Sequence, residues 1–221
     1  MSICVMYADG SDVRQVTWDH FDINASWHPD GQGVLFNRVQ AADSPASQPA
    51  AIITMRIGDQ RPRLFTDRVA GWYASAVWHP DGSAVAVASN AFGPTMEVCI
   101  MDPRGELLRR VTNTTDGISG THLDWSPNGA RILFGAFRSG QSDTYAIYSS
   151  GDDEVRLTDD ESRIQSGAKW SPDGTRTVYH STPVGEFDDV ISESELYVVD
   201  ADGQNEIQLT SSPHSNAHPD W

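Results

Sequence analysis

Four copies of one short motif at nearly regular intervals constrain the fold of this 221-residue chain more than any other feature. The copies read ASWHPDG from Ala25, AVWHPDG from Ala76, LDWSPNG from Leu123 and AKWSPDG from Ala168. Their tryptophans are separated by 51, 47 and 45 residues, and Trp221, in the closing SNAHPDW, follows Trp170 by another 51. An internal repeat of this period indicates a chain built from similar structural units.

A second mark accompanies each tryptophan of the motif. An apolar residue followed by threonine stands 10 to 13 residues before it in every repeat, at Thr17, Thr66, Thr112, Thr158 and Thr210. The threonine that precedes Trp221 makes this residue the fifth motif tryptophan. We predict burial between neighbouring units for the four earlier ones, Trp27, Trp78, Trp125 and Trp170.

Within each repeat the apolar residues alternate or form short runs, which is typical of β-strands and not of helices. The second repeat contains four such strands, near residues 75–78, AVAVAS from Ala84, EVCIMD from Glu97 and LLRRVT from Leu107. Pro-Asp-Gly between the first two strands favours a tight turn, because proline presets φ and glycine accepts a positive φ. Four-stranded units of this length are typical of a β-propeller, in which the blades bury their faces against one another.

The chain is acidic, with 31 Asp and Glu against 15 Lys and Arg, and its formal net charge is −16. This charge argues against binding to the nucleic-acid backbone or to an anionic membrane surface. No apolar run reaches the roughly 20 residues that a membrane-spanning helix needs, and the acidic first 20 residues show no signal peptide. We expect a soluble protein, periplasmic or extracellular if a leader has been removed and otherwise cytoplasmic.

The pattern from Trp170 to Thr210 is W-S-P-D-G, an apolar strand, Y-V-V-D-A-D-G and L-T, and it closely resembles the TolB-type, WD-repeat-like β-propeller repeat. The resemblance covers essentially the whole chain and implies an all-β fold of four-stranded antiparallel blades. It constrains function less, since such propellers serve as interaction modules, as gating domains of prolyl-oligopeptidase-like peptidases and as lyases. Among these 221 residues we expect neither the separate N-terminal domain found in TolB-type proteins nor a hydrolase domain.

Residues 1–221 are expected to form one propeller domain. Residues 1–17 match the third and fourth strands of a repeat, whereas residues 216–221 match a first strand. The favoured arrangement is therefore five blades, with the two termini sharing the closing blade. The alternative is that the chain is a fragment of a larger propeller of six to eight blades.

Long connections predict a ligand-binding face. The connections between second and third strands and between consecutive repeats are long and varied, and the longest lie at residues 38–49 and 182–194. Binding residues concentrate on such loops above a rigid scaffold. We predict that the channel mouth on this face binds a protein, peptide or glycan through Asp22, Asn24, Trp72, Tyr73, His122, Asp124 and Asn216.

The histidines fall into two groups. His28 and His79 each follow a motif tryptophan on the face with short turns, and we expect both to be structural. In a closed five-bladed ring, histidines of the first, fourth and fifth repeats approach one another at the mouth. Clustered imidazoles suit a divalent transition metal, and the predicted ligands are His20, His214, His218 and His180. No other cofactor is predicted.

Two functional hypotheses follow. The first is a non-catalytic propeller that binds a protein or small ligand at the mouth, favoured because no complete catalytic set is recognisable in the sequence. The alternative is a metal-dependent lyase or hydrolase of the oligogalacturonate-lyase type, or the propeller portion of a prolyl-oligopeptidase-like peptidase. Neither nucleic-acid binding nor membrane insertion is expected.

Overall fold

The computed structural model describes residues 2–18, 21–39, 51–59, 61–66, 71–119, 122–184, 194–212 and 215–221. Throughout these ranges the regular secondary structure consists of β-strands, as predicted. No helix in the described part of the chain is long and apolar enough to cross a membrane. The two longest predicted loops, at residues 38–49 and 182–194, lie mostly outside the described residues.

The strands form one two-stranded and four four-stranded antiparallel sheets. The two-stranded sheet pairs β1 (Cys4–Val5) with β2 (Arg14–Gln15). Blade 1 contains β3 (Phe21–Trp27), β4 (Gly33–Val39), β5 (Ala51–Arg56) and β6 (Arg63–Leu64). Blade 2 contains β7 (Tyr73–Trp78), β8 (Val85–Ser89), β9 (Glu97–Met101) and β10 (Leu107–Arg110). Blade 3 contains β11 (Asp124–Trp125), β12 (Arg131–Arg138), β13 (Gln141–Tyr148) and β14 (Val155–Arg156). Blade 4 contains β15 (Arg163–Trp170), β16 (Arg176–Pro183), β17 (Glu195–Asp200) and β18 (Ile207–Gln208).

In every blade the strands pair in the order in which they occur in the sequence, and the first strand lines a central cavity. The predicted fold, an all-β propeller of four-stranded antiparallel blades, is confirmed. β1 pairs with β2, and the described residues at 215–221 carry no strand. The closing blade shared by the termini, the blade count and the single-domain assignment therefore remain predictions.

The hydrophobic core is divided among the interfaces between successive sheets. One cluster joins blades 1 and 2 and includes Leu35 and Val87, and a second joins blades 2 and 3 and includes Val98 and Phe134. A third cluster joins blades 3 and 4, and a fourth packs the β1–β2 sheet against blade 1. Blades 1 to 3 are thus packed on both faces, which explains the continuous apolar runs of their middle strands.

The Pro-Asp-Gly and Pro-Asn-Gly segments form the predicted tight turns. Their glycines have φ of +67°, +75°, +68° and +71° at Gly31, Gly82, Gly129 and Gly174. The preceding side chain caps each turn, because its Oδ1 accepts a hydrogen bond from the N–H two residues later, at Asp30, Asp81, Asn128 and Asp173. Asparagine can replace aspartate here because both offer this oxygen.

The repeated threonine makes the same hydrogen bond in all five repeats. Its hydroxyl accepts from the N–H of the residue 14 positions earlier, near the start of the third strand, at distances of 2.9, 3.3, 2.9, 3.0 and 2.9 Å for Thr17, Thr66, Thr112, Thr158 and Thr210. The bond ties the end of each repeat to its own third strand. Conversely, a carboxylate at the start of that strand accepts from the threonine hydroxyl in three repeats, at Glu97, Asp143 and Glu195.

The motif tryptophans differ in burial from one end of the blade series to the other. Trp125 and Trp170 are buried as predicted, the former only 8% exposed with its Nε1–H donating to the carbonyl of Val77 in the preceding blade. Trp78 is half-buried. The prediction is wrong for Trp27, which is 51% exposed. The sheet before blade 1 is β1–β2, which supplies no inner strand in the described residues to cover this ring.

Candidate functional site

Inner segments of all five repeats enclose one cavity of about 510 Å³. β3, β7, β11 and β15 each contribute the residues just before or at their motif tryptophan. The fifth repeat contributes His218, Pro219 and Asp220. The indole Nε1–H of Trp221 donates to the carbonyl of Lys169 at 3.1 Å, just as Trp125 donates to Val77 one residue before the tryptophan of the preceding blade. The C-terminal segment is therefore seated beside blade 4 as a fifth inner segment.

A backbone irregularity recurs three residues before the motif tryptophan. There φ is +53° at Asn24, +57° at His122, +68° at Gly167 and +55° at His218. In β3 and β15 the pairing register shifts at this point, which marks a β-bulge. Bulges re-aim side chains, and left-handed backbone favours glycine and asparagine, with histidine tolerated more often than most residues. At three of these positions, Asn24, His122 and His218, a polar side chain is placed at the cavity.

Three of the seven predicted mouth residues line this cavity, namely Asn24, His122 and Asp124. The side-chain amide of Asn24 donates to the carbonyl of Ala74 at 3.2 Å and so bridges blades 1 and 2. Sequence reasoning missed Lys169 and Asp220, which also line the cavity. Both residues stand immediately before a motif tryptophan, as the predicted Asp124 does, and this shared position could have indicated that they line the cavity.

The other four predicted mouth residues lie elsewhere. Asp22 and Tyr73 do not present their side chains at the mouth as predicted, because both are buried. The Asp22 carboxylate accepts two hydrogen bonds from Arg38, at 2.8 and 2.9 Å, and burial raises the pKa of Tyr73 in the core between blades 1 and 2. Asn216 donates to Glu195 and Ser212, which anchors the C-terminal segment. Trp72 is exposed.

An ion pair crosses from blade 3 to blade 4 within the cavity lining. Lys169, the only lysine of the chain, places Nζ 3.0 Å from Oδ1 of Asp124. The other carboxylate oxygen accepts from the N–H of Trp170 at 2.9 Å. Burial raises the pKa of Asp124, and the charge of Lys169 opposes that rise. The pair and the Trp170 hydrogen bond therefore link the inner strands of blades 3 and 4.

Three imidazoles lie close together beside the same cavity, of which His122 and His218 line it. The ring of His218 lies 5.5 Å from that of His122 and 5.4 Å from that of His180, measured between ring centres. The predicted approach of His180 and His218 is therefore observed, with His122 as a third member. The other predicted ligands, His20 and His214, lie outside the described residues.

The three rings of this cluster differ in exposure and in hydrogen bonding. His218 is exposed, whereas His122 and His180 are half-buried and each has a buried Nδ1 without a hydrogen-bond partner. Burial lowers the pKa of His122, and burial together with the charges of His218 and His122 lowers that of His180 to about 4. Nε2 of His180 lies 2.9 Å from Oγ of Ser166. As the side chains stand, no group of three or more His, Cys, Asp or Glu among the described residues is arranged to hold a metal ion.

The two turn-face histidines pack against tryptophans of the following blade. His28 meets Trp78 edge to face with ring centres 4.5 Å apart, and His79 meets Trp125 in the same way at 4.7 Å. Nε2 of His79 also lies 3.2 Å from the carbonyl oxygen of Gly129. The predicted structural role of both histidines is confirmed.

Known proteins with related sequences and structures agree with this architecture. The family model of the TolB beta propeller domain matches residues 44–193. The Tol-Pal system protein TolB of Anaeromyxobacter dehalogenans is 32% identical over 100 residues, which represent 44% of this chain and 20% of that protein. The chain thus spans about a fifth of the length of this curated relative.

Two solved structures illustrate the similarity in fold. TolB from Acinetobacter baumannii superimposes with a TM-score of 0.74 at 18% identity, covering 98% of this chain and 50% of that one. Oligogalacturonate lyase from Vibrio parahaemolyticus superimposes with a TM-score of 0.64 at 14% identity, covering 94% of this chain and 60% of that one. At these identities the superpositions concern the fold alone. Because the TolB family model matches more than half of its length, the chain belongs to the TolB beta propeller domain family.

Proposed function

We propose that this chain is a binding module that takes a segment of a protein partner at the mouth of its central cavity. The observation that carries the proposal is the convergence of inner segments from all five repeats on one cavity of about 510 Å³. This volume falls within the range of about 300 to 1,000 Å³ typical of ligand sites. A rigid scaffold with side chains presented from bulges costs little ordering entropy on binding.

The chemistry of the lining suits a peptide. Trp27 offers a half-exposed indole, and Asn24 and Asp220 offer polar groups within the same cavity. Sites that bind organic ligands combine aromatic surface with a few polar groups that fix orientation. Tryptophan is also enriched among the residues that dominate binding energy at protein interfaces.

The charge of the chain favours a cationic segment. With a formal net charge of −16, the protein attracts positively charged partners over long range and repels anionic ones. The curated relative is by name a protein of the Tol-Pal system, which supports a protein as the ligand class. We therefore place a Lys- or Arg-containing peptide segment ahead of a glycan.

Selection from a displayed peptide library, followed by calorimetry with the selected peptides, tests the proposal. We expect selected peptides to carry net positive charge and to bind more weakly at higher salt. Trp27→Ala and Asp220→Asn should each weaken binding about tenfold. Leu108→Ala is the matched control, since Leu108 is exposed on β10, the outermost strand of blade 2, away from the cavity.

Two results would contradict this function. One is peptide binding that survives both cavity variants, which would place the binding surface elsewhere on the propeller. The other is a library that yields no binder while a glycan array does, since that would assign the same cavity to a carbohydrate. A peptide whose affinity falls equally in the Leu108 control would indicate a general loss of folding and not a mapped site.

A further inference from the structure

We propose that His122, His180 and His218 form a binding site for a divalent transition-metal ion beside the central cavity. The ligands come from three separate places in the fold: the start of blade 3, β16 of blade 4 and the C-terminal segment. The proposal replaces two residues of the sequence-based set with His122. It is independent of the peptide-binding function, because the ion would sit between repeats whether or not a partner occupies the mouth.

The spacing of the rings already suits a shared ion. Zinc binds imidazole nitrogen at about 2.0–2.1 Å, and two imidazoles on one tetrahedral ion have ring centres roughly 5 Å apart. The observed separations from His218 are 5.5 and 5.4 Å. His218 is therefore spaced to share an ion with either neighbour, and the rings have to rotate to turn their donor nitrogens toward one point, since no such group among the described residues is arranged to hold a metal ion as it stands.

Two of the donor atoms lack any other partner. Nδ1 of His122 and Nδ1 of His180 are both buried without a hydrogen bond. Leaving a buried polar group unpaired costs free energy, and a bound ion would give both nitrogens a partner. The ring of His180 packs closely on Gly167, where an added Cβ would lie 2.7 Å from Nδ1 of His180.

Ser166 sets the orientation of one ligand. Its hydroxyl lies 2.9 Å from Nε2 of His180 on the adjacent strand. When Nε2–H donates to this oxygen, the lone pair stands on Nδ1, the atom without another partner. Metal-binding histidines commonly donate their second ring N–H to a neighbouring acceptor, which holds the tautomer and the ring. Ser166 is thus a positioning residue for the site.

The charged groups near the three rings are Lys169, Asp124 and Asp220. Lys169 is the nearby cation that opposes a bound metal, and its charge is offset by its ion pair with Asp124. Asp220 adds a carboxylate to the same cavity wall.

Three imidazole ligands select the class of metal. Nitrogen donors favour Zn²⁺, Cu²⁺, Ni²⁺ and Co²⁺ over Mg²⁺ and Ca²⁺, which prefer oxygen. Because the exposed His218 faces a cavity, a fourth coordination position remains open to water or to a ligand atom. Since the rings have to rotate on binding, we expect micromolar and not nanomolar affinity for Zn²⁺ at neutral pH.

Calorimetry on tag-free, chelator-treated protein at pH 7.5 tests the site, using Zn²⁺ as the probe and Mg²⁺ as the negative control. His122→Asn and His218→Asn are suitable variants, because Asn24 has the same left-handed backbone at the equivalent position of blade 1. His180→Gln removes the third ligand. Each variant should weaken Zn²⁺ binding at least tenfold. His28→Ser is the matched control and should bind like the parent, since serine occupies the same motif position in repeats 3 and 4.

Two further measurements separate ligation from damage to the fold. Co²⁺ bound by three imidazoles should show ligand-field absorption in the parent protein that is absent from the three variants. Zn²⁺ should raise the melting temperature of the parent and leave that of the variants unchanged. Absence of Zn²⁺ binding to the parent would overturn the proposal. So would binding that survives all three substitutions but is lost in a His20→Asn, His214→Asn double variant.

Discussion

Histidines on the two faces of this propeller have opposite environments. On the face with short turns, His28 and His79 each pack edge to face on the tryptophan of the next blade. Near the cavity, His122, His180 and His218 face one another, and two of them keep a buried nitrogen without a partner. The same residue type thus completes the packing on one face and leaves bonding capacity unused on the other.

The comparison shows that position within the repeat decides what a side chain can do. The residue after the motif tryptophan is enclosed by the next blade, so any side chain of suitable size there contributes to packing. The residue three positions before the tryptophan lines the cavity instead, at Asn24, Ser75, His122, Gly167 and His218. The following predictions test this difference, from the largest expected effect to the smallest.

Trp125→Ala removes the surface on which His79 packs and should cost about 3 to 5 kcal/mol of the free energy of unfolding, because the buried indole leaves a cavity. Trp27→Ala is the matched comparison and should cost only about 1 kcal/mol, because half of this ring is already in water. Chemical denaturation of both variants measures the two costs. Equal losses would show that burial between blades does not govern the contribution of these tryptophans.

The pH dependence of stability should reveal His180. Its pKa is lowered to about 4 in the folded state by burial and by the neighbouring imidazoles, against about 6.5 in the unfolded chain. Between these values the unfolded state binds the proton first, so stability falls as the pH falls from 6.5 towards 4. After allowance for partial exposure, the loss is about 2 kcal/mol.

Denaturation of chelator-treated protein at pH 7.5 and pH 4.5 measures this loss. His180→Gln should remove it, so the difference in stability between parent and variant should shift in favour of the variant at the lower pH. Subtracting the free energy of unfolding of the variant from that of the parent at each pH cancels the contribution of the many carboxylates that the two proteins share. Parallel pH profiles would indicate that protonation of His180 is not coupled to folding.

Substitution on the turn face should have a moderate effect. His79→Ala removes an edge-to-face contact with Trp125 and a polar contact with the carbonyl of Gly129, and should cost about 1 to 1.5 kcal/mol. His79→Ser should recover part of this loss. In repeat 3 the serine at the same position, Ser126, accepts from the N–H of Arg131 at 2.9 Å and supports the turn. Thermal unfolding of the two variants provides the comparison.

The smallest effect is expected near the cavity. His122→Asn should change the free energy of unfolding by less than about 0.5 kcal/mol, because Asn tolerates the positive φ and the replaced imidazole has an unpartnered Nδ1. Denaturation at pH 7.5 in the presence of chelator measures the change. A loss as large as that of His79→Ala would show that His122 is a packing residue like those of the turn face, and that the two groups of histidines do not differ in their contribution to stability.

Sequence patterns predicted the strands, the turns and the structural histidines correctly, because all three depend on neighbours close in the chain. The same reasoning was wrong for Trp27, and it did not foresee the burial of two predicted mouth residues, Asp22 and Tyr73. A motif tryptophan is buried only if another blade covers it. An aspartate can be buried if an arginine distant in the sequence forms an ion pair with it, as Arg38 does with Asp22. These conditions depend on contacts that the local pattern does not contain.

The sequence by itself determined the repeat, the four-stranded unit and the residues available at each repeat position. Period-two apolar patterning, turn residues with special φ preferences and one repeated threonine are local properties, and they suffice for these features. Only the tertiary structure decided that His122, His180 and His218 meet, and that Lys169 pairs with Asp124. Their separation along the chain hides the contacts, which arise because inner strands placed around an axis bring equivalent positions of successive repeats to one cavity.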